Sequence, residues 1–337
     1  MICFRCHYNI QVKKIEHFLY NENYARAMNQ VLIENAKKMA SKPKKTTISM
    51  TFCECGENDS NGMEKIGIKA EPGQGLNLSD LKKGARVAKK LLGVKAKIVA
   101  LEPLLDGVNL VDTKGRTGKV RKGWVMRIKG FVNAVLKGKG KTMVDLFKEM
   151  NEVHWDTQYW DKKKKKILNK QARTNNCVAD YAQEANINEG KGTIHAFNDL
   201  PLLNLVREML YKMFGHKVKL FIAEGNRYED GGAKKHGIGW HGDAERRIVA
   251  CIRLMPEEGE TMPMHFHYFW QWKQVGKRLV MDLNAGDLYV MSEEAVGSDW
   301  LKKSLEIIPR HATGANKFTK DKVPKKKAKK KAKKSEE

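Results

Sequence analysis

The residues best suited to chemistry in this chain are His241 and Asp243, two positions apart, and a later histidine, His311. If His241 and Asp243 lie on a strand, their side chains point to the same face, because strand side chains alternate with a period of two. A histidine from a distant strand would complete a face of two histidines and one carboxylate, which leaves coordination positions open and suits a non-haem Fe(II) oxygenase. His311 is the only histidine after His267, so it is the predicted distal ligand. The H-x-D pair alone would equally fit a loop histidine near a surface aspartate.

The sequence around these residues predicts short strands that could hold them. Residues 202–214 have apolar side chains at helical spacing and predict an amphipathic helix. Short apolar or aromatic runs, separated by glycine and charged residues, then follow at 217–223, 247–254, 264–272, 278–283 and 287–292. Several short strands without helices between them favour a sandwich or barrel of mainly antiparallel strands.

The preceding part of the chain has a different pattern, in which predicted strands alternate with predicted helices. Residues 22–40 predict a helix, residues 46–52 a β-branched strand, and residues 78–92 a helix that ends at Gly93. Further strands are predicted at 97–101 and 124–128 and a further helix at 142–153. This alternation favours a small α/β unit over roughly residues 44–153.

The order of motifs in the second half resembles the AlkB-like branch of the 2-oxoglutarate and Fe(II)-dependent dioxygenases. The matching segments are Asn226 and Tyr228, the stretch GIGWHGD at 237–243, the apolar run 248–254, the aromatic run 266–270 and the turn and strand at 286–291. The resemblance covers roughly residues 167–320. Residues 51–59 and 62–67 are similar to the N-terminal regions of two-part AlkB-like proteins from algae and large DNA viruses.

The resemblance implies an α+β chain whose catalytic domain is a double-stranded β-helix, or jelly roll. The resemblance implies a dioxygenase domain at residues 156–320. The strand–helix alternation predicts a small α/β domain of unknown function at residues 1–155, and the lysine-rich composition predicts a disordered tail at 321–337. Fe(II) would be held by His241, Asp243 and His311, with 2-oxoglutarate and O2 as co-substrates and with Asn226 and Tyr228 hydrogen-bonded to 2-oxoglutarate. The implied reaction is hydroxylation or oxidative demethylation, and the expected substrate is a base of DNA or RNA, single-stranded or flipped out of a duplex.

The sequence departs from this family pattern after His311. The family places two arginines there, one of which binds the far carboxylate of 2-oxoglutarate, whereas this chain continues with ATGANKFTK and has no arginine. A buried carboxylate still requires a cation. Lys317 is the first candidate, Arg253 on the strand after Asp243 is the second and Lys320 is the third. The path from Met291 to His311 is also longer than in the family.

Aromatic residues in the β-rich half could bind a planar base. Phe269, Trp270 and Trp272 are predicted either to line such a pocket or, as is more usual for aromatic strand residues, to belong to the core. Two other functions fit the same residues: hydroxylation of a protein side chain on the same fold, and a non-enzymatic role in nucleic-acid packaging or structure.

The net charge of the 337-residue chain is +25, and it favours an anionic partner such as nucleic acid. Residues 317–337 hold eleven lysines against three acidic residues, so this segment contributes +8 and residues 1–316 contribute +17. The tail could bind phosphates, act as a nuclear-import signal within residues 324–334, or only increase solubility. A second run of five lysines, Lys162–Lys166, follows the aromatic stretch 155–160 and fits either nucleic-acid binding or a solvated loop.

The remaining features concern location and a second metal. The sequence has no apolar run long enough for a transmembrane helix and no N-terminal signal peptide, which predicts an intracellular protein. It would be nuclear if the tail signal acts, and virion-associated or cytoplasmic if the protein is viral. The four thiols of Cys3, Cys6, Cys53 and Cys55 could bind zinc, although the C-x-C spacing of the second pair is uncommon for such a site.

Overall fold

The sequence places capping residues at both ends of the helix Leu78–Leu92. A computed structural model describes Gln30 and residues 45–59, 62–219, 221–229, 235–300 and 305–321. The α-helices are α1 (Leu78–Leu92), α2 (Phe131–Leu136), α3 (Met143–Glu152), α4 (Pro201–Phe214), α5 (Glu293–Val296) and α6 (Asn316–Thr319). The side chains and backbone amides of Asn77 and Asp80 cap α1 reciprocally, and Gly93 ends it with a φ of 71°. The predicted helix at 78–92 is therefore confirmed.

Most of the fold consists of β-strands. They are β1 (Thr47–Cys53), β2 (Cys55–Glu57), β3 (Lys65–Gly67), β4 (Ala96–Ala100), β5 (Lys119–Val120), β6 (Trp124–Ile128), β7 (Gln158–Asp161), β8 (Lys166–Asn169), β9 (Thr174–Ala179), β10 (Ile194–Ala196), β11 (Ile222–Tyr228), β12 (Gly237–His241), β13 (Val249–Leu254), β14 (Met264–Trp270), β15 (Lys273–Met281), β16 (Leu288–Met291) and β17 (Glu306–Gly314). Short 3-10 helices lie at Glu102–Leu105, Lys137–Lys139, Ile187–Glu189, Phe197–Asp199 and Gly215–Val218. The predicted mixed α+β class, dominated by short strands in its second half, is confirmed at this level.

The strands form two principal sheets. The larger sheet has the order β10-β9-β11-β1-β13-β16-β6-β4, and its neighbours are antiparallel except for the parallel pair β10 and β9. The smaller sheet has the order β12-β17-β14-β15, with β5 paired to β17. The β2–β3 and β7–β8 hairpins are separate two-stranded sheets.

The two faces of the larger sheet have different neighbours. On β13, the even-numbered residues Ala250, Ile252 and Leu254 pack with apolar side chains of α1, α3 and α4 in the largest core cluster. The odd-numbered residues point the other way, so that Val249 and Cys251 pack against strands of the smaller sheet. The helices thus cover one face of the larger sheet, and its other face, opposite the smaller sheet, is available to line a site.

The boundary predicted between residues 155 and 156 falls inside one compact unit. The chain divides into the units Met1–Lys44 and Lys45–Glu337. Strand β1, from the predicted N-terminal domain, is hydrogen-bonded between β11 and β13, both from the predicted dioxygenase domain. Because β1 fills the gap between these two strands, the two predicted domains share a sheet and a core.

Two predictions fall on residues that the structure does not describe. The predicted helix at 22–40 lies outside the described residues apart from Gln30, and so do residues 322–337 of the tail, including residues 324–334. Among the helices of the described ranges, none is both long and apolar enough to cross a membrane.

Candidate metal centre

The structure brings together the three predicted metal ligands. His241 on β12 and His311 on β17 are directly opposite each other on paired antiparallel strands. The Nε2 atoms of both rings lie 3.3 Å from Oδ1 of Asp243. One ligand atom from each residue can be chosen so that all three lie within 4.8 Å of one another. Two imidazole nitrogens and one carboxylate oxygen therefore converge on a point that could bind one divalent metal ion.

Asp243 is oriented by a loop contact. Strand β12 ends at His241, and the backbone N–H of Asp243 donates to the carbonyl of Val296 at the end of α5. Gly242, between the two ligands, passes so close to the next turn that an added Cβ would lie 2.1 Å from the carbonyl oxygen of Gly297. A side chain at position 242 would therefore displace the segment that carries Asp243.

The protonation of the three ligands differs. Burial alone would lower the pKa of His241, but its hydrogen bond with Asp243 and the charge of that carboxylate raise it, so a metal ion would displace a proton from this ring. Nδ1 of His241 lies 2.7 Å from the carbonyl oxygen of Gly239, which can only accept, so Nδ1 donates and Nε2 is left for the metal. Burial by itself would raise the pKa of Asp243, but the neighbouring His311 ring, the Arg246 guanidinium and hydrogen bonds with both histidines hold that pKa well below its usual range. Burial and the neighbouring His241 lower the pKa of His311, which favours the neutral, ligating form.

A buried arginine supports the carboxylate ligand from behind. Arg246 is only 3% exposed and forms salt bridges with Glu224 and Glu245, and its Nε lies 3.7 Å from Oδ2 of Asp243. Its guanidinium also donates to Sγ of Cys53 at 3.3 Å. Sequence reasoning missed this residue, because its partners lie on strands that only the folded chain brings together.

The triad lies at one side of a cavity of about 440 Å³ between the two sheets. Three residues predicted to bind 2-oxoglutarate, Asn226, Tyr228 and Arg253, line this cavity. Arg253 is 1% exposed and donates to the hydroxyls of Ser49 and Thr313, while its Nε has no hydrogen-bond partner among the described residues. A buried guanidinium with an unused donor beside a cavity is suited to bind a carboxylate.

A second arginine, which sequence analysis did not single out as a binding residue, lies on the same part of the wall. Nε of Arg173 donates to Oδ1 of Asn226 at 2.5 Å, and Asn175 donates to the same oxygen at 2.7 Å. The amide of Asn226 in turn donates to Glu224 at 3.1 Å. These bonds fix the orientation of Asn226 and place a further positive charge at the cavity.

Another part of the cavity wall is acidic. Glu57, Asp59, Glu224 and Glu245 all line the cavity, and Arg246 neutralises the last two only in part. Burial, together with the negative charges of Glu245 and Glu224, raises the pKa of Glu57 to about 7. This wall contrasts with the net charge of +25 and favours a group that is positively charged or donates hydrogen bonds.

The raised pKa of Glu57 predicts a pH-dependent stability. The folded state keeps the proton up to about pH 7, whereas the unfolded chain releases it near its ordinary pKa of 4.5. The free energy of unfolding of the metal-free protein should therefore fall as the pH rises from about 4.5 to 7. Glu57→Gln should remove this fall in the free energy of unfolding, which we expect to be on the order of 1 to 2 kcal/mol after allowance for partial exposure. Urea unfolding measured at several pH values between about 4.5 and 7 tests it. Glu184→Gln, at an exposed position, is the control; an equal pH dependence in wild type and Glu57→Gln would contradict the prediction.

Three basic side chains were considered as partners for the far carboxylate of 2-oxoglutarate, and two of them, Lys317 and Lys320, do not line the cavity. After Gly314 the chain leaves β17 and turns into α6, which packs against β12, so that Nζ of Lys317 lies 4.8 Å from the centre of the Phe318 ring. The carbonyl of Lys320 accepts a hydrogen bond from the indole of Trp240 at 3.1 Å. Of the three, only Arg253 faces the cavity.

The three predicted pocket aromatics also lie outside the cavity lining. Phe269 is buried against Trp240 and Ala312, and Trp270 belongs to the core between the sheets. Trp272 is at the tip of the β14–β15 hairpin and is 41% exposed. The aromatic side chains that do line the cavity are Tyr228, Tyr289 and Trp300.

The structure describes only two of the four cysteines that were considered as zinc ligands. Cys3 and Cys6 lie outside the described residues. Cys53 and Cys55 are both buried, and burial raises the pKa of Cys55 to about 11 and that of Cys53 well above its usual value. Both thiols are thus held in the protonated form, which does not favour metal binding.

Comparison with known proteins shows similarity to a viral protein. No family model matches the chain. The chain is 34% identical over 277 residues to an uncharacterised protein of Acanthamoeba polyphaga mimivirus, and the match covers 82% of this chain and 98% of the viral protein.

Proposed function

We propose that this chain, which belongs to the same family as the mimivirus protein, is a non-haem Fe(II) and 2-oxoglutarate-dependent oxygenase. The observation that carries the proposal is the convergence of His241, Asp243 and His311 beside a cavity that also contains Arg253. A set of two imidazoles and one carboxylate with open positions suits Fe(II), and bound Fe(II) with 2-oxoglutarate and O2 would supply the oxidising chemistry.

The residues around the triad would hold the co-substrate. Arg253 would pair with the far carboxylate of 2-oxoglutarate, because it is a buried cation that lines the cavity. The Tyr228 hydroxyl and the Asn226 amide, which line the same wall, would donate to the co-substrate oxygens. The antiparallel sheets that face each other across the cavity are compatible with a double-stranded β-helix, which we propose as the fold of this region.

Replacing Arg253 tests this assignment. Arg253→Met should raise the KM for 2-oxoglutarate by about 100-fold, because truncating one partner of a buried charge pair costs about 2–5 kcal/mol. Arg253→Lys should have a smaller effect, since it keeps the charge and loses the planar fork. Lys317→Met is the matched control and should leave the KM unchanged. A larger effect for Lys317→Met than for Arg253→Met would assign the carboxylate to Lys317.

The substrate that we propose is an N-methylated nucleic-acid base. A methyl group on a ring nitrogen of adenine or cytosine makes the base a cation, and Glu57, Asp59, Glu224 and Glu245 provide an acidic wall for it. Hydroxylation of the methyl group gives an unstable hydroxymethyl product that releases formaldehyde and the unmodified base. The net charge of +25 is suited to the phosphates of the same polymer.

The test is turnover under aerobic conditions with Fe(II) and 2-oxoglutarate. We expect single-stranded oligonucleotides that carry N-methylated adenine or cytosine to raise succinate formation above its substrate-free rate and to yield one formaldehyde per additional succinate. Unmethylated strands should do neither. Succinate formed only with lysine- or proline-containing peptides would instead support a protein side-chain hydroxylase. Absence of succinate with and without every substrate would support a non-enzymatic role.

A further inference from the structure

The β7–β8 hairpin has an unusual concentration of positive charge at its tip. Lys162 to Lys166 are consecutive, and all five side chains are exposed. The turn is held by Asp161, whose carboxylate accepts from the backbone N–H groups of Lys163 and Lys164 at 3.0 and 2.9 Å. Within the part of the chain that the structure describes, the salt bridges leave these five ammonium groups unpaired. Because the turn is fixed, it holds several positive charges close together, and their mutual repulsion is relieved when an anion binds to them.

The hairpin is attached to the segment that forms the acidic wall of the cavity. The backbone N–H of Trp160 donates to Sδ of Met63 at 3.2 Å, and Lys162 packs so closely that a Cβ on Gly62 would lie 2.9 Å from its Cβ. Glu57 and Asp59, shortly before Gly62 in the chain, line the cavity. The hairpin is therefore attached to the chain segment that follows the cavity-lining residues Glu57 and Asp59.

Two aromatic side chains accompany the lysines. Tyr159 and Trp160 on β7 are half-buried, so each keeps part of its surface accessible. Accessible aromatic rings next to lysines can stack bases while the ammonium groups bind phosphates. An extended, flexible polyanion with planar bases fits this surface better than a compact anion does.

We propose that the Lys162–Lys166 tip binds the phosphate backbone of single-stranded nucleic acid and guides the strand to the metal cavity. The proposal rests on the proposed function for the identity of the cavity, but the binding step itself requires no turnover. In this arrangement the negatively charged phosphates bind outside, at the lysines, and the positively charged methylated base enters the acidic interior of the cavity.

The test is the salt dependence of oligonucleotide binding by the full-length, metal-free chain, measured by fluorescence anisotropy with an unmodified single strand. Replacing all five lysines by glutamine should weaken binding and lower the slope of log affinity against log salt by about 2 or more, since each lost phosphate contact accounts for about 0.7. Replacing them by arginine should preserve both. Helix α1 provides the matched control, because Lys82, Lys83, Arg86, Lys89 and Lys90 are equally exposed and lie on the helical side of the larger sheet. Their replacement by glutamine should change the slope much less.

Three results would overturn the proposal: equal losses for the hairpin and α1 variants, no loss for the hairpin variant, or hairpin-dependent binding to anionic lipid vesicles without binding to oligonucleotides.

Turnover of 2-oxoglutarate without substrate should be the same in the hairpin variant and the wild type, which reports on the metal site separately. In active enzyme, the hairpin variant should raise the KM for a methylated oligonucleotide and leave the KM for the methylated nucleoside unchanged. An equal rise in both would contradict a role in phosphate binding.

Discussion

Replacing His311 by alanine is expected to abolish the Fe(II)-dependent conversion of 2-oxoglutarate to succinate, with a loss of more than about 100-fold in turnover. Loss of a group that only supports a metal ligand commonly costs 10–100-fold, so loss of a ligand itself should exceed that range. His311 is directly opposite His241 on the paired strand, and its Nε2 lies 3.3 Å from the Asp243 carboxylate. Among the described residues, no other His, Cys, Asp or Glu completes a metal-binding group with this pair.

The matched control is a histidine on the neighbouring strand. His267 on β14 is buried and lies opposite Arg310 on β17. It packs against Trp240, on the face of the smaller sheet away from His311. His267→Asn should therefore retain most of the turnover, even if it lowers stability. Retention of turnover by His311→Ala, in protein shown to be folded by circular dichroism, would contradict the assignment of the distal ligand.

Replacing Arg246 by methionine is expected to cost about 3–5 kcal/mol of unfolding free energy in the metal-free protein. This is the usual cost of removing one partner from a buried ionic cluster, because the remaining charges are left without compensation. Arg246 is the common partner of Glu224, Glu245 and Asp243. Urea unfolding at pH 7 measures the loss, and the loss should shrink toward pH 4 as the abandoned carboxylates take up protons.

A surface arginine provides the comparison for this experiment. Arg116 pairs with Asp112 at 2.8 Å, and its side chain is 49% exposed. Arg116→Met should therefore cost no more than about 1 kcal/mol. Equal costs for Arg246→Met and Arg116→Met, or a cost for Arg246→Met that does not change with pH, would contradict the buried network.

Local sequence patterns were sufficient to predict several elements and three side chains that converge in the fold. The capping residues of α1 and the β-branched composition of β1 are local signals, and both elements form where they were predicted. The convergence of His241, Asp243 and His311 also followed from spacing and order, although Asp243 lies just beyond the strand. Its position depends on the contact with Val296, which no local pattern reveals.

The remaining features depend on contacts between distant parts of the chain. Strand β1 lies between β11 and β13, more than 160 residues away in sequence, so a local α/β pattern wrongly predicted a separate domain. The choice among Lys317, Lys320 and Arg253 also required the fold, because α6 turns away from the cavity and β13 faces it. Arg246 and Glu224 have no sequence signature as partners, since they only meet once β11 is in place.

The most direct test of the central claim is an anaerobic titration of the protein with Fe(II) in the presence of 2-oxoglutarate, followed by visible absorption. We predict a weak charge-transfer band that saturates at one Fe(II) per chain, is absent without 2-oxoglutarate, and is lost in His241→Ala. Failure to form the band in folded wild-type protein, or an undiminished band in His241→Ala, would contradict an Fe(II) and 2-oxoglutarate site built on His241, Asp243 and His311.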